Sequence, residues 1–110
     1  MPRELNLPLV RRAQADLDVF EALDHYLAES VSAAEGFVAA LEKAYVHIQR
    51  APDTGSPRWA HELNIPGLRS WPCSPYAQLV FYLVQPERIE VWRVLHGSRD
   101  IPVWMRDSTP

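Results

Sequence analysis

The sequence predicts an α+β domain in which an antiparallel helical hairpin packs on a small antiparallel sheet that starts with an N-terminal edge strand. The prediction rests on a change in apolar period. Apolar residues recur every three or four positions in the first half of the chain and alternate with polar residues after Gly55. With 110 residues, the chain has the length of one compact unit. We therefore expect a single domain over residues 1–110, with a tail from about residue 103.

Two helices are predicted, at residues 9–29 and 32–50. Pro8 suits the first turn of helix 1, where its missing N–H costs nothing. Ser32 and Glu35 have the spacing of a capping box at the start of helix 2, and Pro52 ends it. The short link forces the helices to run antiparallel. The stripes expected to be buried are Ala13, Leu17, Phe20, Leu23 and Leu27 on helix 1, and Phe37, Leu41, Ala44 and Ile48 on helix 2.

The remaining segments predict strands. The segment 88–96 is apolar on both faces apart from Glu90 and Arg93, so it is expected at the centre of the sheet. One sheet face is expected to pack on the helices. The other, with Gln78 and Tyr82, is expected to stay uncovered because no further element remains in the chain. The predicted strands are 3–7, 58–63, 68–73, 76–84 and 88–96.

Composition limits the classes of function. Charged residues make up 23% of the chain and the net charge is −3, which disfavours a protein whose affinity depends on phosphate contacts. Residues 13–49 carry a net charge of −6, which indicates a solvated acidic helical face. No segment resembles a membrane span or a secretory leader. The lone Cys73 fits a reducing compartment, so the cytoplasm is the expected location.

Several kinds of chemistry are disfavoured by residue spacing. The four histidines are scattered without ligand spacing, so no metal is expected. His96, Ser98 and Asp100 have the residue types of a hydrolase triad but lie within five residues of each other, which favours a polar turn with Asp100 as a cap. Cys73 lacks a neighbour that would activate its thiol. No glycine-rich phosphate loop is present, and no cofactor is expected.

One cluster of polar side chains on or beside adjacent strands has two interpretations. It could form a ribonuclease surface, with arginines stabilising a phosphate and a histidine or tyrosine moving protons. Alternatively, Arg69 and Arg93 could pair with Glu62 and Glu90 across the sheet, and composition alone favours this second interpretation. Four tryptophans in the chain exceed what the core needs, so one or two are expected to contact a partner. The cluster consists of Arg69, Tyr82, Arg93, His96 and Arg99.

A set of ordered motifs resembles a known family. The chain contains Ala-Gln-Ala-Asp-Leu at 13–17, Ile-Gln-Arg-Ala-Pro-Asp-Thr-Gly at 48–55, Ile-Pro-Gly-Leu-Arg at 65–69 and Ile-Glu-Val-Trp-Arg-Val-Leu-His-Gly-Ser-Arg-Asp-Ile at 89–101. Their order and spacing over residues 4–102 resemble the ParE/RelE toxin superfamily, and the ending resembles its ParE branch. The resemblance implies the same fold and the toxin of a type II toxin–antitoxin pair.

The ParE-like branch implies a toxin that poisons DNA gyrase, blocks replication and is neutralised by a ParD-like antitoxin. The alternative is a RelE-like ribosome-dependent mRNA endoribonuclease, which would use Arg69, Arg93, His96 and Arg99. The acidic charge, the lack of a tyrosine after Tyr82 and the position of Lys43 on helix 2 favour gyrase. A gyrase poison binds its target and needs no catalytic residue. No sequence-specific nucleic-acid contact and no membrane contact are expected. The predicted binding residues are Arg69, Tyr82, Trp92, Arg93, Arg99 and Trp104.

Overall fold

The computed structural model describes residues 7–106. It has a four-stranded sheet, two long helices on one face of the sheet and two short helices on the other. No helix in this part of the chain is both long enough and apolar enough to cross a bilayer. The elements are β1 (Leu9–Arg11), α1 (Ala13–Glu29), α2 (Val31–Arg50), a 3₁₀ turn (Pro52–Thr54), α3 (Arg58–Leu63), β2 (Arg69–Pro72), β3 (Gln78–Val84), β4 (Ile89–His96) and α4 (Ile101–Met105).

The sheet has the strand order β1-β4-β3-β2, which confirms that β4 is central and that the N-terminal strand lies at an edge. β2, β3 and β4 are antiparallel, as predicted. β1 instead runs parallel to β4, so the sheet is mixed. The parallel pairing follows from the path of the chain, because the helical hairpin and two antiparallel strands lie between β1 and β4. Seven of the eight residues of β4 are buried, as expected for a strand covered on both faces.

The N-terminal boundary differs from the prediction. The chain is still extended at Leu9, and α1 begins at Ala13, so Pro8 is not in a helical turn. Backbone bonds to β4 explain the difference: Ile89 N donates to Pro8 O, and Arg12 N donates to Val91 O. Sheet pairing therefore prevails over the helical pattern here. The strand predicted at 3–7 falls largely on residues 3–6, which lie outside the described residues.

The junction between the long helices is tighter than predicted. Ser30 alone separates them, and its backbone N–H donates to Tyr26 O at the end of α1. Its Oγ accepts from Ala33 N at 2.9 Å, so the N-cap of α2 is Ser30 and the assignment of Ser32 was wrong. The predicted core face of α2 is confirmed, because Phe37, Leu41, Ala44 and Ile48 are all buried.

Of the predicted α1 stripe, only Leu23 packs against the core. Leu17, Phe20 and Leu27 are 57%, 62% and 48% exposed. The helix is instead buried at Ala15 and Asp18, with Val19, Ala22, Leu23 and Tyr26 packed against the core in part. Both sets of residues have helical spacing, so periodicity could not distinguish them.

The second face of the sheet is covered, contrary to the prediction. The segment 58–63 is helix α3 and not a strand, and it ends at Asn64, which has a left-handed backbone with φ of 57°. The expected tail contains α4, whose Ile101 and Met105 are 1% exposed. Residues 107–110 lie outside the described residues. The core on this face consists of Leu68, Phe81, Trp92, Leu95, Ile101 and Met105, with Trp59, Ala60, Leu63, Ile65, Leu79, Leu83 and Trp104 packed against it.

Tyr82 lies on the helical-hairpin face and is fully buried. Its hydroxyl donates to Pro52 O at 2.7 Å, which ties β3 to the turn after α2. Burial raises the pKa of Tyr82, and a backbone hydrogen bond with Gly55 and the charge of Arg69 offset part of that rise. The prediction that Tyr82 marks an uncovered face was therefore wrong.

Candidate functional site

A buried ion pair ties α1 to the end of the sheet. Asp18 accepts from Arg93 Nε at 2.7 Å and from Arg93 Nη2 at 2.8 Å, and it also accepts from Val94 N at 3.0 Å. Arg93 Nη1 donates to Trp104 O at 2.7 Å. The two charged side chains are only 3% and 5% exposed. This network fixes α1, β4 and α4 relative to one another at the end of the sheet where β4 stops.

An open cleft of about 460 Å³ lies beside this network. α1 contributes Glu21 and His25 to it, β3 contributes Gln78, and the turn after β4 contributes His96 and Arg99. Trp104 of α4 also lines the cleft, so segments that are separated in the sequence meet there. The full lining is Asp18, Glu21, Ala22, His25, Gln78, Val94, Leu95, His96, Ser98, Arg99 and Trp104.

Arg99 and Trp104 form the outer wall of this cleft. The guanidinium of Arg99 lies 4.0 Å from the centroid of the Trp104 ring, a cation–π arrangement. Arg99 Nη2 is 3.9 Å from Glu21 Oε1, a loose pair whose side chains are 40% and 68% exposed. Exposed ion pairs of this kind contribute little to stability, so Arg99 is available to a partner.

The histidine of the turn is held by its neighbour. His96 Nδ1 accepts from Ser98 N at 3.1 Å and lies 2.7 Å from Ser98 Oγ. An accepting Nδ1 leaves the proton of the neutral ring on Nε2. Asp100 Oδ1 accepts from Val103 N at 3.4 Å at the start of α4. The turn is therefore a polar turn with an aspartate cap, as predicted, and Asp100 is not directed at His96 in a triad.

Comparison with known proteins identifies the family. Residues 9–101 match the family described as the ParE toxin of the type II toxin–antitoxin system parDE. The chain belongs to this ParE toxin family. The fold is also that of a solved structure described as the chromosomal ParDE toxin–antitoxin system from P. aeruginosa, with a TM-score of 0.68 at 18% identity over 83% of this chain and 96% of that chain. No curated protein sequence matches.

Three of the predicted binding residues of this ParE toxin are buried. Tyr82 is fully buried, Arg93 is 2% exposed and Trp92 is 4% exposed, so the three side chains lie inside the fold of the toxin. Trp92 Nε1 donates to Glu90 Oε1 at 3.0 Å, and the guanidinium of Arg12 lies 3.9 Å from the Trp92 ring centroid. Arg93 thus holds α1 on the sheet, Trp92 contacts Arg12 at the junction of β1 and α1, and Tyr82 holds the turn after α2.

The Glu90 carboxylate accepts several side-chain hydrogen bonds beside Trp92. Burial raises its pKa, but hydrogen bonds from Trp92, Arg88 and Arg12, together with the charge of Arg12, outweigh burial and hold the pKa below its ordinary value of 4.5. The proposed pairing of Arg69 and Arg93 with Glu62 and Glu90 was wrong. Arg93 pairs with Asp18, and Arg69 Nη1 donates to Gly55 O at 2.7 Å.

The structure brings together only part of the predicted set. His96, Arg99 and Trp104 share the cleft, whereas Arg69 lies elsewhere. In the strand register Arg69 is opposite Tyr82 and His96 is opposite Gln78. Tyr82 and Gln78 are four positions apart on β3, which is about 13 Å along the strand. Sequence reasoning missed Glu21, His25 and Gln78, because they reach the cleft only through tertiary packing.

Cys73 is fully buried in the helical-hairpin core, and burial raises the pKa of its thiol to about 12. It therefore remains a neutral thiol at physiological pH, as expected for a cysteine without an activating neighbour. Within residues 7–106, no three histidine, cysteine or acidic side chains are grouped so as to hold a metal ion.

Proposed function

We propose that this ParE toxin acts in the cytoplasm by binding DNA gyrase and holding it in its DNA-cleaved state, and that a ParD-like antitoxin neutralises it. The proposal rests above all on the Arg99–Trp104 wall of the cleft, in which Arg99 is exposed and Trp104 is half-buried. Arginine and tryptophan dominate the binding energy of protein interfaces. The two side chains stack at 4.0 Å and are anchored through the backbone of Trp104 to buried Arg93. The wall is thus held in place before any partner arrives, which lowers the entropy lost on binding.

A poison needs only differential affinity. If it binds the cleaved state of its target more tightly than the resealed state, the cleaved state accumulates. A shift from 1:99 to 99:1 needs about 10⁴-fold tighter binding to the favoured state. A rigid surface with a cation and a large aromatic ring is suited to this task.

The dispersal of the ribonuclease candidates also favours binding over catalysis. General acid–base catalysis on a phosphodiester requires its groups within hydrogen-bond reach of one reacting atom. Arg93 is buried against Asp18, and Arg69 is about 13 Å along the sheet from the position of His96. Only His96 and Arg99 of the four share the cleft.

The test compares two reactions with the same purified toxin. In one, the toxin is added to gyrase and supercoiled plasmid with ATP, and linear DNA is quantified after protein denaturation. In the other, it is added to translating ribosomes with a defined mRNA, and cleavage is mapped. We expect linear DNA to accumulate in the first reaction and the mRNA to stay intact. Codon-positioned mRNA cleavage with gyrase unaffected would overturn the proposal in favour of the RelE-like activity.

Variants connect the effect to the cleft. Arg99→Ala and Trp104→Ala should each raise the toxin concentration needed for half-maximal cleavage by about tenfold or more. The matched control is Arg58→Ala, because Arg58 also stacks on a tryptophan, with its guanidinium 4.4 Å from the Trp59 ring centroid on α3. We expect this control to behave like the unmodified toxin. Equal loss in the control and the cleft variants would contradict the role given to the cleft.

A further inference from the structure

One buried side chain in the wall of the cleft has an unused hydrogen-bond donor. Gln78 is only 4% exposed, and its Oε1 accepts from the Tyr26 hydroxyl at 3.0 Å. Within residues 7–106 its Nε2 group has no hydrogen-bond partner. Among these residues, the side-chain polar atom that is shut off from solvent without a partner is Tyr45 Oη, so Gln78 Nε2 reaches the open cleft that this residue lines.

Two further donors line the same cleft. His96 is the cross-strand neighbour of Gln78, so the two side chains project from the same face of the sheet. Its Nδ1 accepts from Ser98 N at 3.1 Å, which leaves the proton of the neutral ring on Nε2. Arg99 adds the N–H groups of its guanidinium. The cleft therefore offers a buried amide, an imidazole and a cation to one ligand.

The charges around these donors favour a ligand with a single negative charge. Asp18 is neutralised by Arg93 in the buried ion pair. Glu21 Oε1 lies 3.9 Å from Arg99 Nη2, which is too long for a hydrogen bond, and the Glu21 side chain is 68% exposed. An incoming carboxylate can replace Glu21 beside Arg99 with little loss of stability, and it gains the hydrogen bonds that Glu21 does not make.

We propose that the cleft receives an aspartate or glutamate side chain of the protein that the toxin acts on, with Gln78 Nε2, His96 Nε2 and Arg99 as donors to its carboxylate. This inference rests on the proposed function, in which that protein is gyrase. The two oxygens of a carboxylate have about four acceptor sites, enough for the three donors. A nucleic acid strand would also bring neighbouring phosphates to a chain with a net charge of −3, which disfavours a phosphodiester as the ligand.

The first experiment measures the carboxylate site without gyrase. The purified toxin is titrated with a blocked glutamate, N-acetylglutamic acid methylamide, and the side-chain amide of Gln78 and the indole of Trp104 are followed by proton–nitrogen NMR. The blocked glutamine is the uncharged control probe, and dimethyl phosphate represents a phosphodiester. We expect saturable shifts with the blocked glutamate and affinities for the other two probes that are weaker by about tenfold or more. No saturable shift with the blocked glutamate, or tighter binding of dimethyl phosphate, would overturn the inference.

Variants assign the binding to the three donors. Gln78→Glu keeps an acceptor for Tyr26 and replaces the donor with an anion, whereas Arg99→Gln removes the charge at an exposed position. We expect each to weaken binding of the blocked glutamate by about tenfold or more. The matched control is Arg50→Gln, because Arg50 is an exposed cation on α2, and it should stay within about twofold. Circular dichroism checks that each variant is folded, and the exposed Arg99 position keeps the test decisive if Gln78→Glu is not.

The same variants in the gyrase reaction separate this inference from the proposed function. We expect Gln78→Glu and Arg99→Gln to need about tenfold more toxin or more for half-maximal DNA cleavage. Gyrase cleavage at the same concentration with both variants as with the unmodified toxin overturns the carboxylate site and leaves gyrase as the target. Binding of the blocked glutamate by a toxin that leaves gyrase unaffected overturns the proposed function and supports the carboxylate site for another protein.

Discussion

The buried ion pair between α1 and β4 gives a quantitative test of the structure. Replacement of Asp18 by alanine removes three hydrogen bonds, of 2.7, 2.8 and 3.0 Å, and leaves the guanidinium of Arg93 without its carboxylate in a site where that side chain is 3% exposed. Removal of one partner from a buried pair costs about 3–5 kcal/mol. For a chain of this length, that loss corresponds to a fall in Tm of roughly 12–20 °C.

The matched control is an exposed pair between the end of β1 and the same helix. Arg11 Nε lies 2.9 Å from Asp16 Oδ1, with side chains 48% and 42% exposed, so Asp16→Ala should cost no more than about 1 kcal/mol. Urea denaturation of the purified toxin followed by tryptophan fluorescence measures both values. The double replacement Asp18→Leu with Arg93→Met should recover at least half of the loss, because no charge is then left buried.

Two results would refute this reasoning. The first is an Asp18→Ala protein within about 1 kcal/mol of the Asp16→Ala protein, since the burial of Arg93 would then carry no penalty. The second is a double variant no more stable than Asp18→Ala, which would place the loss in packing rather than in the uncompensated charge.

Three further predictions concern single sites. The pKa of Glu90 is lower in the folded state than its ordinary value of 4.5, so the ionised carboxylate stabilises the fold fully above pH 4.5. That stabilisation is lost as the pH falls through the pKa of the folded state. Glu90→Gln should therefore lower Tm at pH 7 and reduce the fall of Tm at acid pH. Gly55→Ala should lower the free energy of unfolding in urea by about 1–3 kcal/mol, because the new Cβ would overlap Tyr82 Oη. A variant as stable as the unmodified toxin would show that the Tyr82 ring can move aside. Phe20→Ser should leave Tm within a few degrees of the unmodified toxin, since the ring is 62% exposed, and a large fall would mean that Phe20 packs in the core.

The sequence determined the class of fold, the α2 core and the central strand. Each of these depends on one dominant pattern: a single apolar stripe on α2, and a run on β4 that is apolar on both faces. It also carried the motifs of the ParE toxin family, which the family match over residues 9–101 bears out. The local sequence was sufficient to predict an element wherever only one arrangement of that element could bury its apolar residues.

Tertiary structure decided the rest. On α1 two stripes have helical spacing, and the less apolar one is buried because Asp18 neutralises Arg93 and satisfies Val94 N, whereas Leu17 and Phe20 have no such partner inside. The segments of α3 and α4 are too short to show a period, so only their packing on Phe81 and Leu95 reveals that the second sheet face is covered. The cleft depends on the buried face of α1 and on the packing of α4, since the first places Glu21 and His25 in its lining and the second places Trp104 there. The periodicity of a helical sequence determines which residues share a face of the helix. The charges and volumes of the neighbouring elements decide which of those faces is buried in the core.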